Sequence, residues 1–325
     1  MSWLARRRPL VLALQLAFAT LVFWFVGRAL AGAWRDYRTQ SISIHLDWWR
    51  ILLSGVEFLA TYLVLIATWR AVVEQWGERI RLVAAARIWT ISSLTRYLPG
   101  KLWQIPMMAS MAQRERLSPV AAAGAAVIGT VVNIAAGFVV ALALGPALLE
   151  SARPGSARIG ALLLVLGVLG LALLPWIMPR LLALVSRVSG RRMELGVLPM
   201  RAIGIALGGN LVAWMMYGWA FRTFAIGVLG PVPGRLSDWV ATWAISYVIG
   251  YIFLFMPAGI GMREGTMIGA LSAAGLASPG QATVLAAASR LWLTILEIVP
   301  GLVFLASGAL RRRQPPDGSP DDAPR

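Results

Sequence analysis

The sequence predicts an all-α, polytopic integral membrane protein, and three observations carry that expectation. Hydrophobic residues make up 58% of the 325-residue chain and charged residues only 14%, whereas a soluble domain carries about 25% charged residues. Uncharged runs recur at Pro9–Gly27, Ser118–Leu149, Ile159–Met178, Ala202–Phe221 and Trp239–Met262, and about 20 apolar residues suffice to cross roughly 30 Å of hydrocarbon. Two more runs, Ile51–Trp69 and Leu291–Leu310, are broken only by Glu57 and Glu297. Lastly, the net charge of +16 is concentrated at 70–87, 180–201 and 311–313, each beside an apolar run, as the positive-inside rule expects.

The first run follows Arg6–Arg8. It is too long for a signal peptide and lacks a small-residue cleavage site, so a retained first span is expected. A second span, about 48–69, returns to the basic segment 70–87. The stretch "SSLTRYLPGKLWQIP" (92–106) then interrupts a moderately apolar helix. That helix runs over about 82–98, breaks at Leu98-Pro99-Gly100 and resumes through Gln113. Neither arm is long enough for a comfortable crossing, which predicts a re-entrant hairpin.

A third span opens at Ser118-Pro119, where serine caps the helix and proline suits its first turn. The fourth covers about 159–180 and the fifth about 200–227. After the loop Gly230–Asp238, Trp239–Met256 runs into a second break, "FMPAGIGMREG". An arm over Thr266–Ala277 leads to Ser278-Pro279 and a last helix ending at Arg311–Arg313. The tail 314–325, rich in Pro, Asp and Gly, is expected to be a disordered cytoplasmic segment.

The order of elements repeats: a Pro/Gly break, a second arm, Ser-Pro, then a long helix. This predicts two membrane repeats, 1–150 with its hairpin at about 82–117 and 157–312 with its hairpin at about 239–277. Each has three transmembrane helices and one re-entrant hairpin, and the odd number of crossings inverts the second copy. Both termini then lie in the cytoplasm, the chain is placed in the cytoplasmic (inner) membrane, and one hairpin enters from each face. Inverted repeats with broken helices are a transporter arrangement. The competing reading makes Trp239–Met256 an ordinary span.

Composition narrows the chemistry. Cysteine is absent, which removes thiolate nucleophiles and cysteine metal sites. The single histidine, His45, falls between two spans beside Asp47, Trp48 and Trp49 and reads as interfacial. All six aspartates (36, 47, 238, 317, 321 and 322) fall in loops or the tail, whereas metal or acid–base catalysis needs clustered acids. The expectation is therefore a protein that is not an enzyme and has no metal or cofactor. Nucleic acid is not an expected partner, because the basic residues border spans.

Charges inside spans are costly and mark function. In the first hairpin they are Arg96 and Lys101, with Tyr97 and Gln104 as polar companions; in the second, Arg263 and Glu264; in the last helix, Arg290 and Glu297. Proline removes a donor and glycine permits a sharp turn, so Pro99-Gly100 ends one helix and starts another. Unpaired N–H groups at the new helix's start form an anion site. Lys101 in that first turn opposes the helix dipole unless an anion joins it. Gly259 and Gly261 frame the same arrangement with Arg263. The competing reading lets Arg96 and Lys101 snorkel to the interface. Glu297 is expected to be held by a cation of the second hairpin, Arg263 foremost, and Glu57 is a candidate for proton coupling. Asn133 and Asn210 read as interhelical glue.

The segments "RYLPGKLWQ" with "RERLSP", and "MPAGIGMREGTMIGALSAAGL" with "ASRLWLTILEIVPGL", resemble the lysylphosphatidylglycerol synthase transmembrane family over roughly residues 10–310. The resemblance implies a lipid-flipping module, with Arg96, Pro99, Gly100 and Lys101 in the first motif and Pro257, Gly259, Gly261, Arg263 and Glu264 in the second. No soluble synthase domain follows the last span, so aminoacyl transfer is not expected of this chain. The expected function is movement of a lipid with an anionic or phosphate headgroup between leaflets, alone, as a homo-oligomer or with a lipid-biosynthesis partner. The alternative is a non-catalytic subunit or scaffold of a lipid or envelope-polymer transferase.

Overall fold

The computed structural model describes residues 44–97, 103–146, 149–150, 154–188, 200–252 and 261–313. The first apolar run, both Pro/Gly breaks (Pro99, Gly100 and Lys101; Pro257 and Gly259) and the tail 314–325 lie outside the described residues. Among the described residues the chain is all helical. The helices are α1 (Trp48–Glu74), α2 (Leu82–Ser93), α3 (Gln104–Arg114), α4 (Pro119–Leu144), α5 (Ser156–Val188), α6 (Met200–Leu229), α7 (Leu236–Ile252), α8 (Met262–Ala273) and α9 (Pro279–Arg313), with a 3-10 turn at Leu94–Tyr97.

Local chemistry sets these boundaries. Asp47 caps α1 by accepting from the Arg50 amide at 3.2 Å, and the helix outruns the expected Trp69 because Arg70 and Glu74 pair across one turn at 2.8 Å. Ser118 caps α4, its Oγ accepting from the Ala121 amide at 3.3 Å, with Pro119 in the first turn. Ser278 opens α9 as the first member of a reciprocal pair: Gln281 donates its amide to Ser278 Oγ at 3.4 Å and its side chain accepts from the Ser278 amide at 3.0 Å. Helix α8 starts at Met262, four residues before the expected Thr266. Gly261 there adopts φ 88° and Glu264 accepts its amide at 2.7 Å.

Helices α3 and α8 end alike. In both, the residue after the cap is left-handed, Arg116 at φ 61° and Gly275 at φ 63°. The next amide reaches back to close the helix, Leu117 to the Ala112 carbonyl at 3.0 Å and Leu276 to that of Leu271 at 2.9 Å. This is the Schellman arrangement, in which a buried apolar residue follows the left-handed one, and Leu117 and Leu276 are both buried.

Among the described residues five helices are long and apolar enough to cross a membrane: α1, α4, α6, and within α5 and α9 the stretches Ser156–Leu173 and Pro279–Ser307. Helices α2, α3 and α8, with 12, 11 and 12 residues, are about 17 Å long, roughly half the hydrocarbon thickness. At the centre α1 and α6 run antiparallel. The His45 and Asp47 amides donate to the Val228 and Gly227 carbonyls at 3.0 and 2.8 Å at one end, and Thr68 packs on Gly209 near the other. Glycine at such crossings lets backbones approach.

The segment 82–117 begins and ends at one end of this pair. The Glu78 carboxylate accepts from the Ser118 amide at 3.0 Å, and Arg87 pairs with Glu115. At the other end Gly234, before α7, lies against Leu276, after α8. Helix α2 packs on α1, α3 and α9, and α7 on α6, α8 and α4; α3 packs on α4 and α8 on α9. Exchanging α1 with α6, α2 with α7, α3 with α8 and α4 with α9 turns each of these contacts into another of the set.

Two apolar cores follow. One joins Phe58, Phe221, Trp239, Trp243 and Leu271; the other joins Val73, Ile88, Met108, Ile128 and Ala206. Before and at the start of α5 the Gly155 and Ala157 amides donate to the Glu150 carboxylate, holding its carboxyl below the usual range.

Candidate functional site

The site is assembled on one face of α9. Arg290, Glu297, Gly301 and Phe304 recur there at intervals of one to two turns, which superimposes them along the helix. Gly301 receives Leu94 so closely that a Cβ added there would lie 2.8 Å from Leu94 Cδ1. This contact fixes the 3-10 turn against α9, and Arg96, two residues on, reaches Glu297: Nη1 lies 2.7 Å from Oε1. The Tyr62 hydroxyl donates to the same oxygen at 3.3 Å. The Arg96 and Glu297 side chains retain 21% and 10% of their accessible surface, so this is a largely desolvated ion pair. Arg96 also occupies the last turn of its segment, where the helix dipole favours a cation.

The expected pairing of Glu297 with Arg263 is therefore corrected: the cation is Arg96, from the 3-10 turn after α2. Helix α7 explains why. Arg263 approaches α7 at Gly250, where an added Cβ would lie 2.8 Å from Arg263 Cβ, and its guanidinium covers the rings of Trp243 at 4.8 Å and Tyr247 at 5.3 Å. It is 5% exposed, its Nε and Nη2 have no hydrogen-bond partner, and no carboxylate among the described residues lies within ion-pair distance. Arg263 is thus a buried cation at a helix N-terminus, on aromatic faces worth about 2 kcal/mol when desolvated. Arg290, two turns before Glu297, faces Glu264 at 3.6 Å. One helix face thereby carries a charge pair with the 3-10 turn and another with α8.

A cavity of about 180 Å³ opens beside Arg96, room for several waters or a phosphate group. Its lining includes Arg96 from the 3-10 turn, Gln104 from α3, Asn133 from α4, Asn210 and Tyr217 from α6, and Tyr247 and Tyr251 from α7. Tyr62, Tyr217, Tyr247 and Tyr251, four of the six tyrosines, form a continuous series with ring centroids 6.2–6.5 Å apart. Gln104 donates to Ser93 Oγ at 3.3 Å, tying α3 back to α2.

Not every expected residue converges here. Glu57 lies on the outer seam of α1 and α6, where Trp219 Nε1 donates to it at 2.9 Å, and it does not line the cavity. Tyr97 follows Arg96 in the 3-10 turn. Gly261 supplies the left-handed turn that starts α8. Asn210 donates to the Ala206 carbonyl of its own helix at 2.7 Å, and Trp214 reaches the Asn133 backbone rather than its side chain. Both asparagines are among the residues that line the cavity.

The aromatic series was not singled out from the sequence. Its signal was present: Trp239, Trp243, Tyr247 and Tyr251 recur every four residues and so form one stripe of α7.

Long apolar helices around a buried, charge-bearing interior define an integral membrane protein. The chain belongs to the family described as the lysylphosphatidylglycerol synthase TM region, whose model matches residues 12–301. No curated protein matches the chain.

Proposed function

We propose that this protein moves a lipid with an anionic, phosphate-bearing headgroup between the leaflets of the cytoplasmic membrane, without chemically altering it. The headgroup passes through the cavity beside Arg96 while the acyl chains stay in the bilayer. One observation carries the reading: an arginine, itself paired with a carboxylate, lines a cavity together with Gln104, two asparagines and three tyrosines inside an apolar bundle. An anionic headgroup substitutes for Glu297 on Arg96, and the tyrosine hydroxyls and the Gln104 amide supply further donors.

The wider arrangement in this proposal is two inverted repeats, each with a re-entrant hairpin, and cytoplasmic termini. The exchange of helix contacts and the matched ends of α3 and α8 support it, as does the joining of each hairpin segment's two ends on opposite ends of the α1–α6 pair. Arg70, Arg79 and Arg81, at the end of α1, and Arg201, at the start of α6, flank the same end of that pair, in keeping with a cytoplasmic face. The carboxylates Glu57, Glu264 and Glu297 are dispersed, engaged by Trp219, Arg290 and Arg96 respectively, and suit charge balance better than acid–base chemistry. Purified protein in liposomes with fluorescent phosphatidylglycerol tests the proposal. Protein-dependent leaflet exchange supports it, and exchange no faster than in empty liposomes refutes it.

A further inference from the structure

A second cavity, of about 620 Å³, lies between α2, α3 and α9 at the end of the bundle where Glu78 meets Ser118. Its walls are divided by chemistry. Ile91, Met107, Met111 and Phe304 form an apolar floor, while Arg87, Arg114 and Glu115 form a charged rim. Arg87 is engaged by Glu115. Arg114 is exposed and makes no ion pair among the described residues, which leaves the rim with one net positive charge.

We propose that this groove is a lateral entrance that binds a phosphate-bearing lipid from the adjoining leaflet. Arg87 and Arg114 hold the phosphate, and an acyl chain lies along Ile91, Met107 and Phe304. The groove and the Arg96 cavity share the α2–α3 seam, both drawing lining residues from these two helices. Arg87 and Arg96 are nine residues apart, roughly 13 Å along a helix, and Leu94, seated on Gly301, falls between them in the chain. Leu94 is therefore the gate: a headgroup travelling from the rim to Arg96 must lift it from Gly301. The inference rests on the transport reading for where the entrance leads; the binding itself is measured separately.

The chain contains no cysteine, so a polarity-sensitive fluorophore on Ser110→Cys, a groove-lining position, reports the site alone. Full-length labelled protein in phosphatidylcholine nanodiscs is titrated with phosphatidylglycerol. A saturable emission shift is expected. Arg114→Gln raises its midpoint about tenfold, the loss of one charge-assisted contact, and Glu115→Gln, which releases Arg87, lowers it. Inorganic phosphate gives no shift. If the shift is unchanged in both variants, or if inorganic phosphate saturates it equally, the entrance is refuted. Because Arg114 is exposed and unpaired, its variant remains informative even if Arg87→Gln does not fold. Gly301→Ala, which presses a methyl on Leu94, keeps the shift but slows leaflet exchange about tenfold relative to the parent; exchange at the parent rate overturns the shared seam. Binding without exchange in the parent protein removes the transport reading and leaves the groove as a lipid site. Exchange without a saturable shift removes the entrance and leaves transport standing.

Discussion

Arg96 and Glu297 are 201 residues apart in the chain and 2.7 Å apart in the fold. They tie the 3-10 turn after α2 to α9 in a setting where either charge alone is badly solvated. Replacing one partner of a buried pair costs about 3–5 kcal/mol because the other charge is stranded. Arg96→Gln and Glu297→Gln should each destabilise the protein on that scale, and the double variant should cost less than their sum. A double-mutant cycle on unfolding in detergent measures this. Additive effects would mean that the pair does not act as a unit.

Arg116 and Gly275 occupy matched left-handed positions, yet only glycine adopts that conformation without strain. An L-residue pays about 1–2 kcal/mol there. Arg116→Gly is therefore expected to stabilise the protein by about 1 kcal/mol, and Gly275→Ala to destabilise it by a similar amount. Opposite shifts in thermal midpoint are the expected readout; shifts of one sign would sever the correspondence between α3 and α8.

Arg263 depends on a planar group over Trp243 and Tyr247. Lysine preserves the charge but not the stacking fork. Arg263→Lys should lower stability by about 1–2 kcal/mol and slow leaflet exchange, measured on folded protein at equal reconstitution density. Parent-like behaviour would show that charge alone suffices at this position.

The arrangement also fixes sidedness. Arg79 and Arg235 are both exposed and lie at opposite ends of the α1–α6 pair, in the loops that follow those helices. Single cysteines at these positions should react with an impermeant maleimide from opposite sides, Arg79→Cys only from the cytoplasm. Labelling of both from one side contradicts the inverted arrangement.

Much of this was legible in the sequence, for identifiable reasons. Ser118-Pro119 and Ser278-Pro279 announced helix starts because capping is local chemistry, and Glu57 and Glu297 stood out because charge is rare in apolar runs. The partner of Glu297 was not legible. Arg96 and Arg263 both precede or follow a break, and the choice between them depends on how Leu94 seats on Gly301 and how Gly250 admits Arg263. Those contacts arise from helix rotation, which periodicity does not specify. Arg116 hid its turn because arginine carries no left-handed preference. The stripe Trp239, Trp243, Tyr247 and Tyr251 was obscured because tryptophan and tyrosine also mark membrane depth.

The central claim is that Arg96 receives a lipid phosphate in exchange for Glu297. It is tested most directly by leaflet exchange of fluorescent phosphatidylglycerol in liposomes containing the parent protein, Arg96→Gln or Arg96→Gln/Glu297→Gln. The double variant is the key comparison, since it removes the cation without stranding the carboxylate. The account predicts fast exchange with the parent and at least about tenfold slower exchange with both variants, the double variant being folded but inactive. Exchange by the double variant at the parent rate would contradict it.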